Sequence, residues 1–169
     1  LRRFMQSRQI DAWLIHDFRG ANPILARALP HPENKRRFTT RRVALLVPAV
    51  GTPTLRVNPL DAGQFAPPHL DPKFDLDKRQ YISWKAFHAE LASLLAGKAR
   101  VAMEYAPGCS LPAGSMVDAG TVELLRALGA DLPQYAHLPM IVNAQGKPYS
   151  KRDGAAFVGD FREQGFEAD

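Results

Sequence analysis

Two spacings of apolar residues alternate along the chain. Leu1, Phe4, Met5 and Ile10 are loosely helical in spacing, and AWLIHDF (Ala12–Phe18) is a short apolar run of the kind a buried strand presents. In ANPILARAL, Asn22 is placed to cap, Pro23 takes the first helical position, and Ile24, Leu25, Ala28 and Leu29 make a stripe, predicting a short helix ended by Pro30. RRVALLVP and TPTLRVN are strand-like runs on either side of a glycine-containing turn, which predicts an antiparallel pair. Residues 59–80 carry four prolines and no sustained period, and read as irregular chain wrapped over the surface.

Ser83 precedes the clearest helix, in which Trp84, Phe87, His88, Leu91, Leu94 and Leu95 recur at helical spacing up to Gly97. ARVAMEY (Ala99–Tyr105) then reads as a strand and APGCSLPAG as a loop. Asp118–Gly129 reads as a helix with Val122, Leu125 and Leu128 facing inward. HLPMIV (His137–Val142) is a further strand candidate, and AAFVGDFREQ is the last helical pattern. Strands and helices interleaved in this order predict an α/β protein, a mixed β-sheet flanked by helices.

Composition changes this picture little. A chain of 169 residues with 46% hydrophobic and 23% charged content fits one soluble domain able to bury roughly two thirds of its unfolded surface. The single cysteine, Cys109, excludes an internal disulfide, and no cysteine and histidine cluster has zinc-ligand spacing, so a reducing, cytoplasmic setting is expected. No apolar run reaches the ~18 residues of a membrane span, and LRRFMQSRQI lacks the apolar stretch of a signal peptide. The net charge of +5 concentrates in NKRRFTTRR and SKR. A basic stripe interleaved with aromatics is not visible in the linear order, so a solvated basic surface is expected and a nucleic-acid partner is not.

Three stretches, DAWLIHDFRGANPI, RRVALLVPAVGTPTLRVNPLDAGQF and RVAMEYAPGCSLPAGSMVDAGTVELLRALG, resemble the N-terminal domain of the creatinase, prolidase and aminopeptidase P group of Xaa-Pro metallopeptidases. The resemblance spans about residues 1–130 and implies a creatinase N-terminal-domain-like fold. In that family the domain precedes a metal-binding catalytic domain, and serves oligomer contact and the shaping of the substrate entrance. By the same resemblance, Asp17, Arg19 and Asn22 lie where the domain faces the catalytic domain, and they would face solvent here.

The tail resembles something else. AHLPMIVNAQGKPYSKRDGAAFVGDFREQGF (Ala136–Phe166) is similar to the segment of bacterial glutamyl-tRNA synthetases that carries their second ATP signature, the KMSKS-like loop. The resemblance implies that Lys147, Ser150, Lys151 and Arg152 form the nucleotide-contacting loop, with Lys151 neutralising ATP phosphates. One chain thus splices two families, a natural or engineered chimera joined between Leu124 and Pro139. Residues 131–169 are predicted to add a strand-loop-helix appendage to the domain of residues 1–130, with HLPMIV completing the sheet.

Candidate chemistry is sparse. GKPYSKRDGAAF sets cations ahead of a helical pattern, the arrangement that binds phosphate through N–H groups and lysines, so weak ATP or anion contact competes with a plain basic surface loop. The partner signature of class I synthetases is missing, and Gly146–Ser150 lacks Walker spacing, so catalysis by this loop is not expected. His16-Asp17 suggests either a metal ligand or acid-base couple, or a strand-end turn held by local hydrogen bonds; the turn is the plainer reading. His88 reads as a boundary packing residue, Glu104 as a carboxylate paired with a nearby Arg or Lys, and Cys109 as a free thiol.

The sequence therefore predicts a non-catalytic domain with no metal and no cofactor, whose partners are protein, including a homo-oligomer through exposed apolar surface. The competing readings are an ATP- or tRNA-binding fragment, a truncated metallopeptidase, and a chimera without activity.

Overall fold

The run AWLI is apolar at every position because both faces of its strand are covered. The computed structural model describes residues 1–33, 35, 37–106 and 114–129. The chain divides into two units, Leu1–Tyr135 and Ala136–Asp169, and the elements below all belong to the first. Strand β1 (Ala12–Phe18) lies inside a five-stranded mixed sheet of order β4-β3-β2-β1-β5, with β2 (Arg42–Pro48), β3 (Thr54–Val57), β4 (Asp77–Gln80) and β5 (Val101–Ala102). β1 pairs antiparallel with β2 from Ala12↔Pro48 to Phe18↔Arg42, and β2 pairs antiparallel with β3, as the hairpin reading expects. β3 pairs parallel with β4, and β1 parallel with β5 through Ala12↔Val101.

Side chains alternate along each strand, so one apolar run supplies two cores. Ala12, Leu14, Ala44 and Leu46 pack with Phe87, Leu91, Leu94 and Leu95 of α3 (Trp84–Leu95) and with Val122 and Leu125 of α4 (Ala119–Ala127). Ile15, Val43, Leu45, Leu55 and Val57 pack on the other side with Leu25 and Leu29, from α2 (Pro23–Ala28) and its C-terminal boundary, and with Ala62, Phe65 and Leu70. A short α1 (Arg2–Ser7) contributes the buried Met5 at the N-terminal end. The helix starts follow the capping chemistry: Asn22 accepts from Ile24 N–H, Ser83 from Ala86 N–H and Asp118 from Thr121 N–H.

The structure corrects three expectations. Residues 59–80 do not merely wrap the surface. Their first part forms a 3-10 turn (Ala62–Phe65) and, with Leu70, roofs one sheet face, while β4 is their final piece. Four exposed residues, Asp-Lys-Arg-Gln, make up β4, so no alternation betrays it; charges suit an edge strand because they discourage pairing with another chain. The strand read as Ala99–Tyr105 is regular only over Val101–Ala102, after which the carbonyl of Glu104 turns to accept from Met116 and Val117 N–H. Trp84, read as part of the core face of α3, is 63% exposed, since it sits in the first turn of the helix and the buried positions begin at Phe87; His88 is half-buried, as a boundary residue should be.

Two buried polar groups hold the irregular segment in place. The carboxylate of Asp61 accepts from Thr40 N–H, Arg41 N–H at 2.8 Å and the Thr40 hydroxyl. The guanidinium of Arg37, with its face 5.4 Å from the Phe65 ring centre, donates to the carbonyls of Leu29, Pro30, Gln64 and His69. His31 accepts from Glu33 N–H at Nδ1, which leaves its hydrogen on Nε2, where it meets His69 Nδ1 at 3.1 Å.

Candidate functional site

The expected site residues sit where β1 runs out of the sheet. After Phe18 the chain reverses through Arg19 and Gly20, at φ 58° and 69°, and Asn22 opens α2. The tightness of this turn is set by Asp17, whose buried carboxylate accepts from Gly20 N–H at 3.1 Å, Asn22 N–H at 2.8 Å and the Thr39 hydroxyl at 2.9 Å. Three donors on one carboxylate account for a charge in the interior.

Asn22 is fully employed. Its Oδ1 accepts from Ile24 N–H, and its Nδ2 donates to the His16 carbonyl at 3.0 Å and to Glu104 Oε2 at 2.9 Å. At 2% and 3% exposure, Asp17 and Asn22 do not face solvent, contrary to the expectation. The carboxylate is enclosed by its own turn, and the amide bridges β1, the start of α2 and the chain after β5. Arg19 does lie exposed, with its guanidinium 5.3 Å from the Phe18 ring centre. A cleft of about 430 Å³ opens beside these residues, bordered by Asp17, Asn22, Arg37 and Thr39, whose polar atoms already have partners.

His16 and Asp17 do not work as a couple. As successive strand residues they point to opposite faces, and the His16 ring packs 6.0 Å from Phe87 on the α3 side. Burial holds its pKa down at about 4, against a partial pull upward from Asp118. Its Nε2 has no hydrogen-bond partner. The local-turn reading of this pair is therefore the one the geometry carries.

Glu104 departs from its expected pairing with Arg or Lys; its polar partner is the Asn22 amide. Burial pushes its carboxyl above the usual range, offset in part by that amide and by the Trp13 side chain. A raised folded-state pKa means that its stabilisation is complete below the unfolded value and is lost as pH rises through the folded one. Glu104→Gln is expected to abolish that loss: referenced to pH 4, the variant retains more stability at pH 7 than the parent. Urea unfolding at the two pH values reads it, and equal differences in both proteins would sink the assignment.

Among the described residues no group of three or more His, Cys, Asp or Glu side chains is placed to hold a metal ion. Lys147, Ser150, Lys151, Arg152 and Cys109 lie outside the described residues, as do HLPMIV and the last helical pattern. Arg37 and Thr39 escaped sequence reasoning, since one is hidden in a basic run and the other has no distinguishing neighbour.

The fold is that of creatinase/prolidase N-terminal domains. The creatinase/prolidase N-terminal domain of an X-Pro dipeptidase from Streptococcus pyogenes matches with a TM-score of 0.54 and 12% identity, over 78% of this chain and 87% of that one. Prolidase from Pyrococcus horikoshii OT3 matches with a TM-score of 0.51 and 17% identity, over 78% of this chain and 29% of that one. No protein-family profile matches the chain. In sequence, the chain is 56% identical over 45 residues to the glutamate–tRNA ligase of Nitrosospira multiformis, which is 27% of this chain and 10% of the ligase. It is 54% identical over 43 residues to that of Prochlorococcus marinus, 25% and 9% of the two chains. The chain thus spans about a tenth of the ligases it matches, and it joins likenesses to two different kinds of protein.

Proposed function

We propose that this chain is a non-catalytic accessory domain of the Xaa-Pro peptidase N-terminal type, fused to a synthetase-like segment, and that it acts by contact with protein, including a second copy of itself. The supporting observation is the extent of the fold match: 78% of the chain corresponds to 87% of a structure that consists of such an N-terminal domain alone. The polar residues at the end of β1 fit this reading, because Asp17 and Asn22 spend their hydrogen bonds on shaping a turn. The exposed Phe38, Val50 and Leu60 offer apolar surface for association. No described helix is long and apolar enough to cross a membrane. A single cysteine in 169 residues suits a reducing cytoplasm, where we place the protein. Light scattering on the full chain is expected to give a mass above the monomer that rises with concentration. Xaa-Pro dipeptides with added manganese or cobalt are expected to give no turnover; metal-dependent turnover would overturn the reading.

A second reading rests on the 56% identity to a glutamate–tRNA ligase. It assigns weak ATP or anion contact to Lys147, Ser150, Lys151 and Arg152. Calorimetric titration with millimolar ATP is expected to show low-affinity heat that Lys151→Ala removes; no heat, or heat unchanged in the variant, rejects it.

A further inference from the structure

Folding assembles a surface that the linear sequence does not display. Around the exit of β1, aromatic rings and cations lie side by side, with the half-buried His88 among them. The Arg19 guanidinium stands 5.3 Å from the Phe18 ring centre, and Phe18 is the register partner of Arg42 on β2. Arg42 reaches His88 at 3.5 Å, and the His88 and Trp84 rings meet edge to face with centres 5.3 Å apart. The Lys85 ammonium closes the series 5.5 Å from the Trp84 ring centre.

Phe18 is 45% and Trp84 63% exposed, so both keep ring surface open to solvent. The ion pairs among the described residues are Lys35–Glu33, Arg56–Glu90 and Arg79–Asp77, so Arg19, Arg42 and Lys85 have no carboxylate of their own there. Asp118, whose charge is felt at His16 together with that of Arg42, has its oxygens engaged by the Thr121 N–H and hydroxyl. Among the described residues, each open ring therefore has a cation beside it and no acid paired with that cation.

Stacking platforms flanked by cations are what single-stranded nucleic acid requires: bases have faces to stack on, and phosphates have charges to neutralise. We infer that the ridge Arg19–Phe18–Arg42–His88–Trp84–Lys85 binds a short single-stranded oligonucleotide, without sequence preference. This inference does not depend on the accessory-domain reading or on the loop around Lys151. Charge complementarity alone would also admit an acidic protein, but carboxylates leave the faces of Phe18 and Trp84 uncovered, whereas each base of a nucleic acid brings a face to stack beside its phosphate.

Fluorescence anisotropy of labelled dT10 on the full chain tests it. Binding is expected in the range of ~10–100 μM at 50 mM salt, weakening with a slope of log affinity on log salt of about −2 for three phosphate contacts. Trp84→Ala is expected to weaken binding about tenfold, as loss of one stacked base does, and Arg42→Ala to weaken it while flattening the salt slope by about 0.7. Both side chains are exposed or at the surface, and far-ultraviolet dichroism confirms that the variants fold. Lys147→Ala/Lys151→Ala/Arg152→Ala is expected to keep binding that Trp84→Ala still weakens. Three results would overturn the inference: no binding at 100 μM protein, binding lost in the triple variant but kept in Trp84→Ala, or polyglutamate bound as tightly as dT10.

Discussion

Replacing His16 with phenylalanine is expected to remove about 3 kcal/mol of acid sensitivity. Burial against Phe87 holds the imidazole at a pKa of about 4, while in the unfolded chain it titrates near 6.5. Between those values the unfolded state binds a proton that the folded state refuses, so stability is complete above the unfolded pKa and drains away as pH falls toward 4. A gap of roughly 2.5 pKa steps at 1.36 kcal/mol each gives the full magnitude, of which about 2.4 kcal/mol falls between pH 7 and pH 4.5. His31, also lowered by burial and by the neighbouring Arg37, adds loss of the same sign to both proteins. The difference between parent and His16→Phe therefore isolates position 16. Guanidinium unfolding at pH 7 and pH 4.5 measures it, and parallel slopes in the two proteins would dismiss the assignment. At pH 7 the variant should be no less stable than the parent, because it also removes the unpartnered Nε2.

Arg37→Ala is expected to cost about 3–4 kcal/mol and to lower Tm by roughly 10–15 °C. The guanidinium gathers four carbonyls, from Leu29 and Pro30 at the end of α2 and from Gln64 and His69 in the roof over the sheet. Removing it leaves those acceptors short and loosens the end of α2 from the roof, to which the His31–His69 contact then joins it. Burial already lowers the affinity of this guanidinium for its proton, yet among the described residues its partners are carbonyls and not carboxylates, so the carbonyl cluster is what holds it inside. Arg37→Lys should recover only part of the loss, since one ammonium cannot span four diverging oxygens. Differential scanning calorimetry of the three proteins reads this. A shift below about 3 °C for Arg37→Ala would show that the roof is held by its apolar contacts alone.

Where periodicity and capping agree, the sequence is legible. Asn22-Pro23 and Ser83 mark their helices correctly, and the unbroken apolar runs of β1 and β2 anticipate strands covered on both faces. What escapes is whatever depends on partners distant in sequence. β4 is a strand because β3 offers it a free edge, and nothing in Asp-Lys-Arg-Gln records that. Trp84 fits the helical stripe of Phe87 and Leu91 but stays exposed, which spacing cannot reveal. Glu104 and Asn22 meet across 82 positions of sequence, so an amide rather than a cation became the partner of that carboxylate. The turn at Asp17 is legible because its donors, Gly20 and Asn22, are local. The buried state of Asn22 is not, since it is decided by Glu104.

The position of β1 in the sheet sets the order in which the molecule can assemble. Its antiparallel neighbour β2 follows within thirty-odd residues, but its other edge stays open until β5 arrives, where Asp11 clamps Ala99 N–H and Arg100 N–H across 88 and 89 positions. Pairings that span so much chain must be closed against loop entropy before they return any stability, which makes folding slow. During synthesis, β1 therefore waits with one flank unpaired until about ninety further residues have left the ribosome, and that interval is when the nascent chain is most exposed to misassociation and to chaperone capture.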